Sequence, residues 1–154
     1  MAVATVFATA GFAAVSGAST ATAAVFARVA IPEMLRYNYK PSLAAGVVAA
    51  GGTLASLIPP SAILVIYAII VEESIGRLLV AGFIPGIVSA IIYALLIIFM
   101  AIRNPELGPP VRGFTWSDRI KSVPGTFPVL FVIFVIFFSM YTGTTTPTEA
   151  GAVG

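Results

Sequence analysis

Residues Pro41–Val71 read PSLAAGVVAAGGTLASLIPPSAILVIYAIIV, with no charged side chain among them. Such a stretch exceeds the roughly 20 apolar residues that span a hydrocarbon core about 30 Å thick. It is nevertheless poorly suited to one unbroken helix. Gly51-Gly52-Thr53 weakens the interior, and Pro59-Pro60-Ser61 removes backbone donors and crowds the preceding turn. The pattern predicts a discontinuous helix, with about ten helical residues on either side of an interior rich in breakers. Irregular backbone at membrane depth is tolerated only where protein buries it or it lines a cavity. A break here therefore marks a site.

Three further uncharged stretches surround this one: Met1–Ala27, Leu78–Ile102 and Ser122–Thr148. Leu78–Ile102 reads as an ordinary span. It is dense in Leu, Ile and Val, ends at Arg103-Asn104-Pro105, and carries Gly82 and Gly86 at the spacing that favours close helix packing. Met1–Ala27 is rich in Ala, Gly, Ser and Thr, with Ser16-Gly17-Ala18-Ser19-Thr20 near its middle. It suits either one tilted helix or two short helices joined by a polar tip. In the last stretch, Phe127–Tyr141 is span-like and runs into Thr142-Gly143-Thr144-Thr145-Thr146-Pro147-Thr148-Glu149. Thr146 to Glu149 has the form of a capping box with Pro at the first helical position, which makes Thr146 the expected N-cap of a new helix.

Composition agrees that water is not the solvent. Hydrophobic residues make up 59% of the 154 and charged residues 9%, more apolar than one soluble core needs. There is no cysteine and no histidine, and Asp118 is the only aspartate. Disulfides, Cys/His metal centres, thiol nucleophiles and Ser-His-Asp triads are excluded within this segment. A membrane enzyme ranks last, because no intramembrane acid pair is present to activate a nucleophile. The net charge of +2 speaks to membrane orientation and not to nucleic-acid binding. Met1 is followed by small apolar residues without a basic region, so no signal peptide is read. The sequence reaches Gly154 in what reads as the opening of another apolar segment, so a piece of a longer polypeptide is expected.

The loops set an orientation. Residues 28–40 hold Arg28, Arg36 and Lys40 against Glu33; residues 103–121 hold Arg103, Arg112, Arg119 and Lys121 against Glu106 and Asp118. The short loop Glu72–Arg77 has two acids and one base. If the broken segment and the Leu78 helix each cross once, the two basic loops share a side, which the positive-inside rule makes cytoplasmic. Trp116, Ile120 and Val123 share a helical face after Thr115, which predicts a short interfacial helix over 115–123.

Ser16–Thr20, Gly51–Thr53, Pro59–Ser61 and Thr144–Thr148 are alike: short, uncharged, rich in hydroxyls, Gly or Pro, and placed where helices begin or break. Each has a bland use by itself, as a back-bonded hydroxyl, a packing glycine, a structural kink or a routine cap. Together they suit transport. Half-helix N-termini offer N–H groups to a carboxylate, and unwound carbonyls with hydroxyl oxygens suit Na⁺. Glu72 and Glu73, beside Arg77, read as solvated.

The strings AVSGASTATAAVFARVAIPEM, YKPSLAAGVVAAGGTLASLIPPSAILVIYAII, ESIGRLLVAGFIPG and TPTEAGAVG, in that order, resemble the large membrane subunit of tripartite ATP-independent periplasmic transporters, sodium-driven carriers of organic acids. Residues 103–139 resemble it least. The resemblance implies an all-α, polytopic, elevator-type carrier with inverted repeats and re-entrant hairpins, in a bacterial inner membrane. Residues 1–102 would form the first-repeat core (hairpin, broken helix and transmembrane helix). Residues 103–121 would be a cytoplasmic connector, and 122–154 a transmembrane helix and the start of a second hairpin. Ser16–Thr20 would be the first hairpin tip, Gly51–Ser61 the break, and Thr144–Glu149 the start of the second hairpin.

On that analogy the coupling Na⁺ would be held among Ser16, Ser19, Gly51, Gly52 and Thr53, with Thr145 and Thr148 as further ligands. The substrate carboxylate would meet Ser16, Gly17, Ser19, Thr20, Thr53, Pro59, Ser61 and Thr146. The implied partners are a small membrane subunit and a periplasmic solute-binding protein. The alternative is another broken-helix carrier or a channel without a binding-protein partner.

Overall fold

The computed structural model describes residues 1–109, together with residues 127, 131, 134, 135, 138, 139 and 142. The chain divides into two compact units, Met1–Val111 and Arg112–Gly154. The described residues contain helices and no strand. In the first unit these are α1 (Ala2–Ser16), α2 (Ser19–Arg36), α3 (Pro41–Leu54), α4 (Ala62–Ile70) and α5 (Ile75–Arg103).

The Ala- and Thr-rich opening forms two helices. Gly17 ends α1 in the left-handed conformation (φ +60°), which glycine adopts without a Cβ penalty, and its N–H returns to the Ala13 carbonyl. The rings of Phe12 and Phe26 then meet edge to face at 5.8 Å. In a continuous helix those residues would lie about 20 Å apart along the axis, so α1 and α2 form a hairpin. The inner face of α1 is Ala2, Thr5, Val6, Thr9 and Ala13, a three-to-four-residue stripe. Thr9 is fully buried, and its hydroxyl is satisfied by donating to the Val6 carbonyl at 2.8 Å.

The second stretch is broken as expected, but not where the glycines stand. α3 continues through Gly51, Gly52 and Thr53 to Leu54, and the non-helical backbone covers residues 55–61. The glycines serve closeness rather than unwinding. A Cβ at Gly51 would collide with the Thr9 side chain, and one at Gly52 would lie 2.9 Å from the Ala23 Cβ. Removing two side chains lets α3 lie directly against both arms of the hairpin, and that contact offsets the helix-weakening effect of glycine. The break itself is a tight turn. Ala55, Ser56 and Leu57 donate back to the Gly52, Thr53 and Leu54 carbonyls at 3.0–3.2 Å. Ser61 then caps α4, accepting from the Leu64 N–H at 3.4 Å.

α5 is one helix, about 43 Å long at 1.5 Å per residue, and it is long and apolar enough to cross a membrane. Its buried stripe is Leu79, Gly82, Gly86, Ala90, Ala94 and Ile97, mostly small residues. Gly82 and Gly86 do mediate close packing, against the break and, at Gly82, against the Leu64 side chain of α4 as well. A Cβ on Gly82 would stand 2.5 Å from the Leu57 carbonyl oxygen, and one on Gly86 2.8 Å from the Ile58 side chain.

The end of the first basic loop meets the described start of the second, residues 104–109, at one end of this unit. The Lys40 N–H donates to the Leu107 carbonyl at 2.9 Å, and the Lys40 ammonium pairs with Glu106 at 3.6 Å. Tyr39 is buried there, and its hydroxyl accepts from the Met1 amino group at 3.3 Å, so the hairpin base lies at the same end. Glu72 and Glu73 lie at the opposite end, just before α5 begins. In the second unit, Phe127, Phe131, Phe134, Val135, Phe138 and Ser139 are helical, with Phe127 stacked on Phe131 and Phe134 on Phe138 at 6.3 and 5.7 Å. The expected helix over 115–123, and Thr145, Thr146 and Thr148 of the second hairpin, lie outside the described residues.

Candidate functional site

The hairpin tip is seated on the break. The Ala62 N–H, at the first turn of α4, donates to the Gly17 carbonyl at 3.1 Å. Gly17 is buried, and a Cβ there would stand 2.5 Å from the Pro60 carbonyl oxygen. Backbone thus touches backbone at this point. Four helix ends converge: the C-termini of α1 and α3 and the N-termini of α2 and α4.

Charge at this junction comes from the backbone. No Asp, Glu, Lys or Arg occurs in residues 2–27 or 41–71. The C-terminal carbonyls of α1 and α3 present partial negative charge, and the N–H groups opening α2 and α4 partial positive charge. The two N-termini differ. α4 is capped by Ser61, whose hydroxyl also donates to the Ser56 carbonyl at 2.9 Å. α2 follows Ala18, which has no capping side chain, and Ser19 and Thr20 at its start are accessible. An uncapped N-terminus beside exposed hydroxyls can accept an anion, and adjacent carbonyl and hydroxyl oxygens can accept a hard cation.

The predicted residues divide into three groups. Ser16, Gly17, Ser19, Thr20, Pro59 and Ser61 gather at the tip and the break. Gly51 and Gly52 lie one turn behind, with the Gly52 Cβ position 3.4 Å from the Ser19 carbonyl oxygen. Thr53 faces elsewhere: its hydroxyl donates to the Ala50 carbonyl at 2.7 Å and lies 3.2 Å from the Tyr93 hydroxyl on α5. Two participants escaped the sequence reading. Thr22 is fully buried and shares a hydrogen bond of 2.8 Å with Ser16 across the tip; Ser56 anchors Ser61. The hydroxyl run Ser16, Ser19, Thr20, Thr22 carried the first signal, and nothing local carried the second.

Residues 1–154 match the family described as tripartite ATP-independent periplasmic transporter, DctM component. The chain belongs to this family. It is 37% identical over 153 residues to the C4-dicarboxylate TRAP transporter large permease protein DctM of Pseudomonas aeruginosa, covering 99% of this chain and 35% of that protein. It is 31% identical to the ectoine/5-hydroxyectoine TRAP transporter large permease protein UehC of Ruegeria pomeroyi, covering 99% and 35%. With the sialic acid TRAP transporter large permease protein SiaM of Vibrio cholerae it shares 32% identity, covering 92% and 33%. No solved structure matches. The chain spans about a third of the length of these curated relatives. They are permeases and not enzymes, in keeping with the expectation from composition, and their substrates vary within one family.

Proposed function

We propose that this chain forms the hairpin and broken-helix core of a sodium-coupled inner-membrane permease that imports an organic acid delivered by a periplasmic binding protein. The observation that carries the reading is the Gly17–Ala62 junction, where two helix N-termini and two C-termini meet without a charged side chain. That arrangement suits a carboxylate and Na⁺ bound side by side, each opposite the helix ends of complementary sign. On this reading Ser19, Thr20 and the N–H groups opening α2 take the carboxylate. Ser16, with nearby carbonyl oxygens, takes Na⁺.

The dimensions support a re-entrant reading. α1 is about 22 Å long, short of a hydrocarbon core of about 30 Å, so a hairpin whose base lies at the basic end has its tip inside the membrane. The positive-inside rule makes that end cytoplasmic. The relatives' names include C4-dicarboxylate, ectoine, sialic acid and isethionate, which share an anionic acid group, carboxylate or sulfonate, and little else. A tip of backbone N–H groups and small hydroxyls recognises that shared group and leaves the rest to other parts of the system. The partners are a small membrane subunit and a periplasmic binding protein; one relative, the isethionate permease protein DctMQ, bears a name joining M and Q components. In an elevator-type movement, α1 to α5 travel together as one packed unit.

The test is uptake by the complete permease, reconstituted with its small subunit and binding protein, with Na⁺ replaced by Li⁺ or K⁺. Uptake is expected to collapse without Na⁺ and without the binding protein. Full uptake in K⁺, or uptake indifferent to the binding protein, would refute the reading.

A further inference from the structure

α2 carries an arginine at mid-length. Residues 2–27 hold no Asp, Glu, Lys or Arg, and Arg28 ends that run halfway between the tip at Ser19 and the basic end at Arg36. At 1.5 Å per residue it lies about 12 Å from Arg36 along the helix. The other arm gives the same level: the Phe12–Phe26 contact sets Phe26 about 15 Å from the start of α1, and Arg28 follows Phe26 by about 3 Å toward the base. Both measures put Arg28 well inside a hydrocarbon core about 30 Å thick.

Three features of this position are incompatible with lipid. Arg28 is exposed and uncompensated: Arg36 pairs with Glu33 at 3.1 Å and Lys40 with Glu106 at 3.6 Å, whereas among the described residues Arg28 has no acidic partner. The exposed arc of α2 runs from Thr20 round to Val29, and at about 100° per residue Arg28 falls near its middle, not at an edge where a neighbouring helix could shelter it. Its side chain also starts in the wrong direction to escape. Cα–Cβ bonds tilt toward a helix N-terminus, which for α2 is the tip, so Arg28 leans deeper into the membrane and away from the basic end. An independent backbone feature coincides with it. Pro32, exposed on the same face, has no N–H to donate to the Arg28 carbonyl four residues before it. Guanidinium and carbonyl of one residue thus both call for water at a depth where lipid supplies none.

We propose that this face of α2 lines a water-filled path between the tip and the basic end, and that Arg28 attracts the anionic group of the substrate as it leaves the tip for the cytoplasm. Thr20, at the tip, opens the same exposed arc, so an anion released there meets the Arg28 charge about 12 Å further on. A fixed positive charge in a narrow aqueous path raises the local concentration of anions and lowers that of cations. The proposal rests on the reading of the chain as a carrier of an anionic acid oriented with its basic end in the cytoplasm.

The test uses the complete permease with a single cysteine at Ala24, one turn from Arg28 toward the tip, in inside-out membrane vesicles. The cysteine is labelled with an anionic (sulfonatoethyl) and a cationic (trimethylammonioethyl) methanethiosulfonate, and the ratio of the two rates is compared between backgrounds. Arg28→Gln is expected to lower the anion-to-cation ratio about fivefold, as removal of a unit charge one turn away does in a partly aqueous site, and Arg28→Lys to leave it unchanged. Failure of both reagents to reach Ala24→Cys would show the face covered by lipid or by another helix, and a ratio indifferent to Arg28→Gln would show the charge already neutralised by an acid elsewhere in the permease; either overturns the proposal. A second measurement serves if Arg28→Gln does not accumulate. Uptake by Arg28→Cys is expected to be slowed and then restored by the aminoethyl reagent, which returns a positive charge, but not by the neutral methyl reagent; equal effects of the two would count against it. Labelling rates need neither sodium nor transport, so a failure of the sodium-carboxylate reading is distinguishable from a failure here.

Discussion

Gly17 combines two constraints that no other residue of the junction shares, a left-handed backbone and a carbonyl oxygen 2.5 Å from where its Cβ would stand. Gly17→Ala costs about 1–2 kcal/mol in backbone conformation alone, before the contact with Pro60 is counted. The expected outcome is a lower melting temperature of the purified permease together with loss of uptake. A variant as stable as the parent would show that tip and break are not held together. Thr22 supports a finer prediction. Its hydroxyl is fully buried and bonded to Ser16, so Thr22→Val removes about 1 kcal/mol of hydrogen bonding and frees Ser16 to turn away. A double-mutant cycle with Ser16→Ala is expected to be non-additive, and additive losses would remove the coupling. Which hydroxyls gather at the tip was legible in part. The polar tip stands out in an apolar sequence, whereas the partnership of Ser16 with Thr22 depends on the hairpin turning back at Gly17, which composition does not encode.

At the level of elements, the break depends on Ser61 and on the glycines of α5. Ser61 caps α4 and anchors to Ser56 while fully buried, so Ser61→Ala costs about 1 kcal/mol for the cap and leaves the Ser56 carbonyl without that donor. Hydrogen exchange at the Leu64 amide is expected to quicken in that variant; unchanged protection would mean the cap carries no weight. Gly82→Leu drives a side chain into the Leu57 carbonyl and is expected to separate α5 from the break, abolishing uptake. The broken helix and the long span were legible from Pro, Gly and charge, whereas the opening stretch read equally as one tilted helix or two short ones, and the hairpin came from the family resemblance. The break's starting point was not. Gly51 and Gly52 weaken a helix in isolation, but here their missing side chains admit Thr9 and Ala23, and tertiary packing overrides propensity. The contact of Thr53 was not legible either, since its neighbour Tyr93 is forty residues distant in sequence.

Across the first unit, the backbone bond from Lys40 joins the first basic loop to Leu107, just past the end of α5, and α5 sets Glu72 and Glu73 at the far end. That residues 40 and 107 lie at one end and Glu72 and Glu73 at the other was legible, because span counts are additive along a chain. Cysteine at Glu73 in the full permease is expected to react with an impermeant maleimide from the periplasm, and cysteine at Arg36 only after the membrane is opened. The reverse pattern would invert the assignment. The central claim is that the tip at Ser16–Thr20 binds the coupling ion beside the break. The most direct measurement is the sodium activation curve of substrate uptake by the reconstituted complete permease, for the parent and for Ser16→Ala. The account predicts that Ser16→Ala raises the sodium concentration needed for half-maximal uptake about tenfold, the effect of losing one ligand worth about 1.4 kcal/mol. An activation curve superimposable on the parent's would contradict it.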